Sequence, residues 1–306
     1  MNLSRLKLKL SIILFSLALS TASLAASFTE TQRLAQQGDP VAQLNLGIMY
    51  DNGDGVRQDY GKAVEWYQKA ANQGNANAQY NLGVMYVNGD GVRQDYQKAR
   101  EWTQKAAVQG YPKAQYNLGV MYEYGEGVRQ DYQKAREWYQ KAANQGVAEA
   151  QYNLGTMYEN GNGMRQNYAK AVEWYQKAAS QGLAEAQYNL GIMYDNGEGV
   201  RQDYAKAVEW YQKAANQGDA EAQYNLGVRY YNGEGISQDY QKAREWFQKA
   251  ANQGDGKAQF NLGALYYYGQ GVRQDKAKAK SYFGQACDNG DQEGCEQYRI
   301  LNEAGY

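Results

Sequence analysis

The chain has 306 residues with 32 basic and 33 acidic side chains, a net charge of −1, no histidine and two cysteines. Without histidine there is no imidazole general base, no His-ligated zinc and no Ser–His or Cys–His nucleophile pair. The balanced charge gives no reason to expect nucleic acid as a partner.

In chain order, residues 1–25 read as a secretory signal peptide. Arg5, Lys7 and Lys9 form a basic start, Leu10 to Leu19 is mostly apolar and uncharged, and Ser23-Leu24-Ala25 places small residues where a signal peptidase cuts. The apolar core is shorter than the roughly 20 residues that span a bilayer, which disfavours an uncleaved anchor. Cleavage takes the net charge from −1 to −4. The expected product is exported, to the periplasm or the medium, with no stable membrane insertion. Residues 26–38 then read as an N-terminal capping helix, running from Ser27 to Gln37.

From Asp39 to Gly290 the sequence repeats every 36 residues, seven times. Trp66, Trp102, Trp138, Trp174, Trp210 and Trp246 mark the period, with Tyr282 in the last slot. A fixed period of this size predicts a stacked array in which each unit buries its apolar face against its neighbours. In the first unit Asp39 caps a helix and Pro40 occupies its first turn, where a missing N–H costs nothing. That helix is predicted to reach about Asp51 and stop at Asn52-Gly53, burying Ala42, Leu46, Met49 and Tyr50. Gly47 sits inside it, and a mid-helix glycine repeated in every unit implies close approach of another helix backbone. Asp59 caps a second helix, Tyr60 to Asn72, with Ala63, Trp66, Tyr67 and Ala70 as its buried stripe. The tryptophan is expected to fill the space between units. Residues 291–306 read as a C-terminal capping helix.

Ala42-Gln43, Leu46-Gly47, Tyr50, Gly53-x-Gly55-Val56, Asp59-Tyr60, Lys62-Ala63, Trp66-Tyr67, Lys69-Ala70-Ala71 and Gly74 closely resemble the Sel-one-like repeat family, relatives of the tetratricopeptide repeats. The resemblance implies an all-α, right-handed superhelical solenoid of antiparallel helix pairs, with first helices on the concave side. It also implies a protein-binding scaffold, as an envelope adaptor or a secreted host-interacting factor, with no cofactor.

In an exported chain, Cys287 and Cys295 favour a disulfide over a metal site. They fall at the Ala71 and Gln43 positions of the repeat, and their spacing is similar to that of cysteine-rich family members. Some of those relatives have been described as binding or hydrolysing β-lactams, so a β-lactam or cell-wall hydrolase is the alternative reading. The Ser-x-x-Lys arrangement that such chemistry needs occurs only at Ser4-Arg5-Leu6-Lys7, inside the leader. Asp51-Asn52-Gly53-Asp54-Gly55 lacks the glycine and terminal glutamate of a calcium loop and reads as a helix stop. Glu149, Glu185 and Glu221 read as a solvated face. No catalytic, metal or cofactor residue is assigned, and the sequence leaves the oligomeric state open.

The remaining signals are surface patterns. Tyr80, Tyr116, Tyr152, Tyr188, Tyr224 and Phe260 form an aromatic stripe beside Asn81, Asn117, Asn153, Asn189, Asn225 and Asn261. Such a stripe either grips an extended peptide or packs across neighbouring helices. The rim varies more: Asp51, Val87, Glu123, Glu159, Asp195, Tyr231 and Tyr267 share one position. Tyr124 and Tyr268 replace an asparagine, and Arg229 replaces a methionine. Arg229, Tyr231, Tyr267 and Tyr268 have the composition of a binding hot spot or of an altered seam near the cap. A loop series, Arg57, Arg93, Arg129, Arg165, Arg201 and Arg273, either pairs with nearby acids or faces an anionic ligand.

Overall fold

A computed structural model describes residues 21–306, with side-chain surroundings from residue 27 onward. The expected leader, residues 1–25, thus lies almost wholly outside the described residues. Those residues form sixteen α-helices and no strand, and no helix among them is long and apolar enough to cross a membrane. They divide into two compact units at Gln109/Gly110.

The first unit holds α1 (Thr21–Gln36), α2 (Pro40–Asn52), α3 (Tyr60–Asn72), α4 (Ala76–Asn88) and α5 (Tyr96–Val108). The second runs through α6 (Pro112–Tyr124), α7 (Tyr132–Asn144), α8 (Ala148–Asn160), α9 (Tyr168–Ser180), α10 (Ala184–Asn196) and α11 (Tyr204–Asn216). It ends with α12 (Ala220–Asn232), α13 (Tyr240–Ala251), α14 (Gly256–Tyr268), α15 (Lys276–Asp288) and α16 (Gln292–Glu303). Within each unit consecutive helices pack as hairpins, giving the α-solenoid architecture. The capping helix α1 begins earlier than Ser27 and is continuous through the expected end of the leader.

The helix ends follow the local chemistry. Asp39 Oδ1 accepts from Ala42 N at 2.6 Å and Asp59 Oδ1 from Lys62 N at 3.0 Å, satisfying amides that have no partner inside the helix. Gly53 takes φ 83° at the C-cap, a conformation that costs other residues a Cβ clash. Two residues on, the second loop glycine has a different task. At Gly91 a β-carbon would stand 2.4 Å from the backbone of Tyr60, so this loop lies directly on the preceding repeat.

Two expectations about packing are corrected. The close neighbour of Gly47 is an aromatic ring, with a β-carbon there 2.5 Å from Tyr67 Cδ1, and only at Gly83, opposite Thr103, does the expected helix backbone come near, Ala99 O at 3.2 Å. Tyr139, Tyr175, Tyr211, Phe247 and Phe283 cover Gly119, Gly155, Gly191, Gly227 and Gly263 in the same way. The tryptophans pack against the core at the joints, but they are not its most buried rings. Trp66 is half-buried, with Lys69 Nζ 3.7 Å from its ring centroid, and the same lysine cover recurs at Trp102, Trp138, Trp174, Trp210 and Trp246. The largest fully buried side chains are the adjacent Tyr67, Tyr139, Tyr175, Tyr211 and Phe247. Burying a side chain of that size is worth about 3 kcal/mol, so the ring beside the tryptophan holds the hairpins together, except in the second repeat, where Thr103 takes its place.

A buried glutamine ladder joins the hairpins. Gln79 Nε2 donates to Ala71 O at 3.1 Å and its Oε1 accepts from Gln109 Nε2 at 2.7 Å. Gln151, Gln187, Gln223 and Gln259 donate to Ala143, Ala179, Ala215 and Ala251 in the same way. At the N-terminal end Gln43 donates to Ala35 O, so α1 stands in for a second helix. At the C-terminal end Cys287 and Cys295 occupy these two ladder positions, with sulfurs 1.94 Å apart and Cα atoms 4.5 Å apart. A candidate disulfide thus stands where joints within each unit have a glutamine hydrogen bond.

Candidate interaction surface

The aromatic stripe turns inward to a large extent. Tyr80 is buried, and Tyr116, Tyr152, Tyr188, Tyr224 and Phe260 are half-buried. Each of the latter five packs on the core ring of its own repeat, at centroid distances of 5.4 to 6.0 Å from Tyr139, Tyr175, Tyr211, Phe247 and Phe283. The neighbouring asparagines reach back from the next repeat. Asn225 Nδ2 donates to Tyr188 Oη at 3.5 Å, and Asn153, Asn189 and Asn261 lie near enough to the phenols of Tyr116, Tyr152 and Tyr224 to favour their ionised forms slightly. Burial pushes the Tyr116 phenol up to about 12 and raises Tyr152, Tyr188 and Tyr224 above the ordinary value, so these hydroxyls stay protonated donors.

The rim position is coupled to the core ring of the same repeat. Tyr67 donates to Asp51 Oδ2 at 3.0 Å, Tyr139 to Glu123 Oε2 at 2.5 Å, and Tyr211 to Asp195 Oδ2 at 3.2 Å; Tyr175 donates to Glu159 Oε2. Where the rim residue is Val87, Tyr231 or Tyr267, the core residue is Thr103, Phe247 or Phe283, none with a phenol. A buried hydroxyl without an acceptor and a buried carboxylate without a donor are both costly, so the two positions must change together. This pairing was readable in the sequence by comparing positions sixteen residues apart. It was missed because the rim was compared only with itself. Burial raises the carboxyls of Asp51 and Glu123 above their ordinary values, against the lowering effect of the phenol bonds.

Arg229 takes part in an inter-repeat ion pair. Its Nη2 lies 3.1 Å from Asp195 Oδ2 and its Nη1 2.5 Å from Glu234 Oε2, and its guanidinium sits 5.3 Å from the Tyr204 ring centroid. Arg229 and Asp195 are only 15% and 14% exposed, and Asp195 Oδ1 and Arg229 Nε are buried without a partner. Beside them Tyr231 donates to Gln270 Oε1 at 3.0 Å and packs edge-on against Tyr240.

Two of the expected residues are open to solvent. Tyr124 and Tyr268 are each 67% exposed. Tyr268 packs edge-on against Tyr267, and Lys276 lies 5.7 Å from the Tyr267 centroid and 4.8 Å from that of Tyr306. Tyr298, Ile300 and Tyr306 on and after α16 are also exposed. The chain's C-terminal end therefore presents exposed rings beside two lysines, Lys276 at Tyr306 and Lys280 5.5 Å from the Tyr298 centroid, and sequence reading found only the α14 rings.

Loop arginines 57, 93, 129, 165, 201 and 273 are exposed. The helix-cap aspartates pair instead with lysines one turn on, as in Lys134–Asp131 at 3.5 Å and Lys206–Asp203 at 3.7 Å. Among the described residues no cluster of His, Cys, Asp and Glu could hold a metal ion.

The comparisons with known proteins agree with this architecture. No curated protein matches the chain. A solved structure of c5321, a protective antigen of uropathogenic Escherichia coli strains with an SLR fold, is 38% identical with a TM-score of 0.88. That alignment covers 91% of this chain and 60% of the antigen, so the chain spans well under the antigen's full length. A Sel1 repeat protein from Oxalobacter formigenes is 36% identical over 93% of this chain and 82% of its own, with a TM-score of 0.73. The Sel1 repeat itself matches seven times in succession, over residues 40–75, 76–111, 112–147, 148–183, 184–219, 220–255 and 256–291. With hairpins, joints and period all in agreement, the chain belongs to the Sel1 repeat family, a family of interaction scaffolds.

Proposed function

We propose that this chain is an exported, non-enzymatic scaffold that binds another protein through exposed aromatic residues at its C-terminal end, with Tyr124 as a separate contact. The observation that carries this reading is the exposure of Tyr268, Tyr298 and Tyr306 among lysines, with Lys276 4.8 Å from the Tyr306 centroid and Lys280 5.5 Å from that of Tyr298, although the fold has ample buried positions for rings. Tyrosines with a neighbouring cation supply large contact area with a polar tip, the composition of interface anchors. Tyr267 packs edge-on against Tyr268 and supports it, while Tyr231 is held by Gln270 and Tyr240. The leader-like first 25 residues support export, and a candidate disulfide at the frayed end fits an oxidising compartment.

The test is affinity capture with residues 26–306 from periplasmic extract and from host secretions, run beside the Tyr268→Ala/Tyr306→Ala variant. Proteins retained by the parent and lost by the folded variant support the reading. Equal retention by both, or nitrocefin turnover that survives stringent purification, overturns it.

A further inference from the structure

We propose that the joint between the third and fourth repeats holds a binding site for a phosphate-type oxyanion, built from Arg136, Arg165 and Lys170. These side chains line a cavity of about 550 Å³ with Tyr158, Met164, Gln166 and Asn167, and no carboxylate lines it. Two guanidinium forks and an ammonium facing one space match a multiply charged oxyanion better than a single carboxylate. Lys170 Nζ also lies 5.2 Å from the Tyr158 ring centroid, which leaves an aromatic wall beside the cations.

Two local departures from the repeat create this site. Asn167 caps α9 where the six other second helices of the repeats have aspartate. It keeps the cap, accepting from Lys170 N at 3.0 Å, but brings no charge. Lys62, Lys98, Lys134, Lys206 and Lys242 each pair with their cap aspartate; Lys170 has no such partner. The neutral cap also leaves the positive end of α9 uncompensated. The second departure is Arg136, which stands where the first, fourth and fifth repeats have Val64, Val172 and Val208. Arg100 and Arg244 occur at the same position, but the caps that follow them are Asp131 and Asp275. Only this joint combines the arginine with an uncharged cap.

The experiment is isothermal titration of the full chain at low ionic strength with inorganic pyrophosphate and, separately, with phenyl phosphate. Saturable one-to-one binding is expected. Asn167→Asp restores the cap of the other repeats and Arg136→Val restores a residue three of them carry, so both should fold, and each should weaken binding about tenfold. Arg201→Ser, one repeat further on, should leave affinity unchanged. Tighter phenyl phosphate binding assigns an organic phosphate resting on Tyr158; tighter pyrophosphate binding assigns the inorganic ion. No saturable binding, parent-like affinity in both site variants, or an equal loss in Arg201→Ser would overturn the proposal.

Discussion

In the third repeat, Tyr139 fills the hairpin core and hands its phenol proton toward Glu123 at 2.5 Å. In the sixth, Phe247 fills the same space and the rim residue is Tyr231, whose hydroxyl turns to Gln270. Both rings lie on a glycine at nearly the same distance, 2.5 Å and 2.6 Å for a β-carbon at Gly119 and Gly227. The geometry of the hairpin is therefore set by ring and glycine, while the polar partner is negotiable, provided that donor and acceptor appear or vanish together. Variation along the rim, which looks like partner selection, is in large part this compensation.

The most severe way to break the comparison is to remove what the two repeats share. Tyr139→Ala leaves a void against Gly119 and is expected to cost about 4 kcal/mol, measured by denaturant unfolding. Phe247→Ala should cost as much; a much smaller loss in either would show that the ring does not hold the hairpin. Next comes the ion pair at the fifth–sixth joint. Arg229→Met leaves Asp195 with Tyr211 as its remaining donor, as Glu159 has Tyr175 beside Met193, and is expected to cost about 1–2 kcal/mol, with Asp195→Asn in the same chain recovering part of it. If Arg229 served only a partner, thermal unfolding would not register the change.

Replacing both Cys287 and Cys295 with alanine should cost roughly 2 kcal/mol, confined to α16 and read as faster amide exchange there alone. The smallest effect sharpens the comparison most. Tyr139→Phe should cost about 1–2 kcal/mol near neutral pH by leaving Glu123 without its donor, and adding Glu123→Tyr, the pattern of the sixth repeat, should restore stability. The sign with pH follows from burial. Glu123 has a folded pKa raised above 4.5, so the native state holds its proton more tightly than the unfolded chain. Its contribution is most favourable below 4.5 and declines as pH rises through the raised value. Losing the phenol raises that value further, so the deficit of Tyr139→Phe should shrink on acidification. A deficit that stays constant across this range would show that the bond does not matter.

The sequence made the fold legible because its signals were local and repeated. Asp39, Pro40, Gly53 and Asp59 fixed helix ends to within a residue, and the 36-residue period fixed the hairpins. What it hid were choices between neighbours on one helix. Trp66 and Tyr67 are adjacent and both aromatic, and only packing shows that the second is buried while lysine covers the first. The same holds for the surface. Tyr124 and Tyr268 read as exposed and are, whereas the stripe's packing on Tyr139 and its counterparts depends on a contact 23 residues away that no helical periodicity encodes. Arg229 read as either a hot spot or an altered seam, and only the structure shows that its partner, Asp195, lies 34 residues away across the joint.

The division of labour in the glutamine ladder has an evolutionary corollary. Bonds that cross a joint, such as Gln187 to Ala179, use parts that recur along the chain, while the variable rim–core pair closes inside a single repeat. Any such cassette can then be duplicated, excised or reordered without leaving a mismatched seam. The Arg229–Asp195 bridge narrows that freedom: the sixth cassette needs a predecessor that offers an acid at that lip, which the first, third, fourth and fifth do with Asp51, Glu123, Glu159 and Asp195.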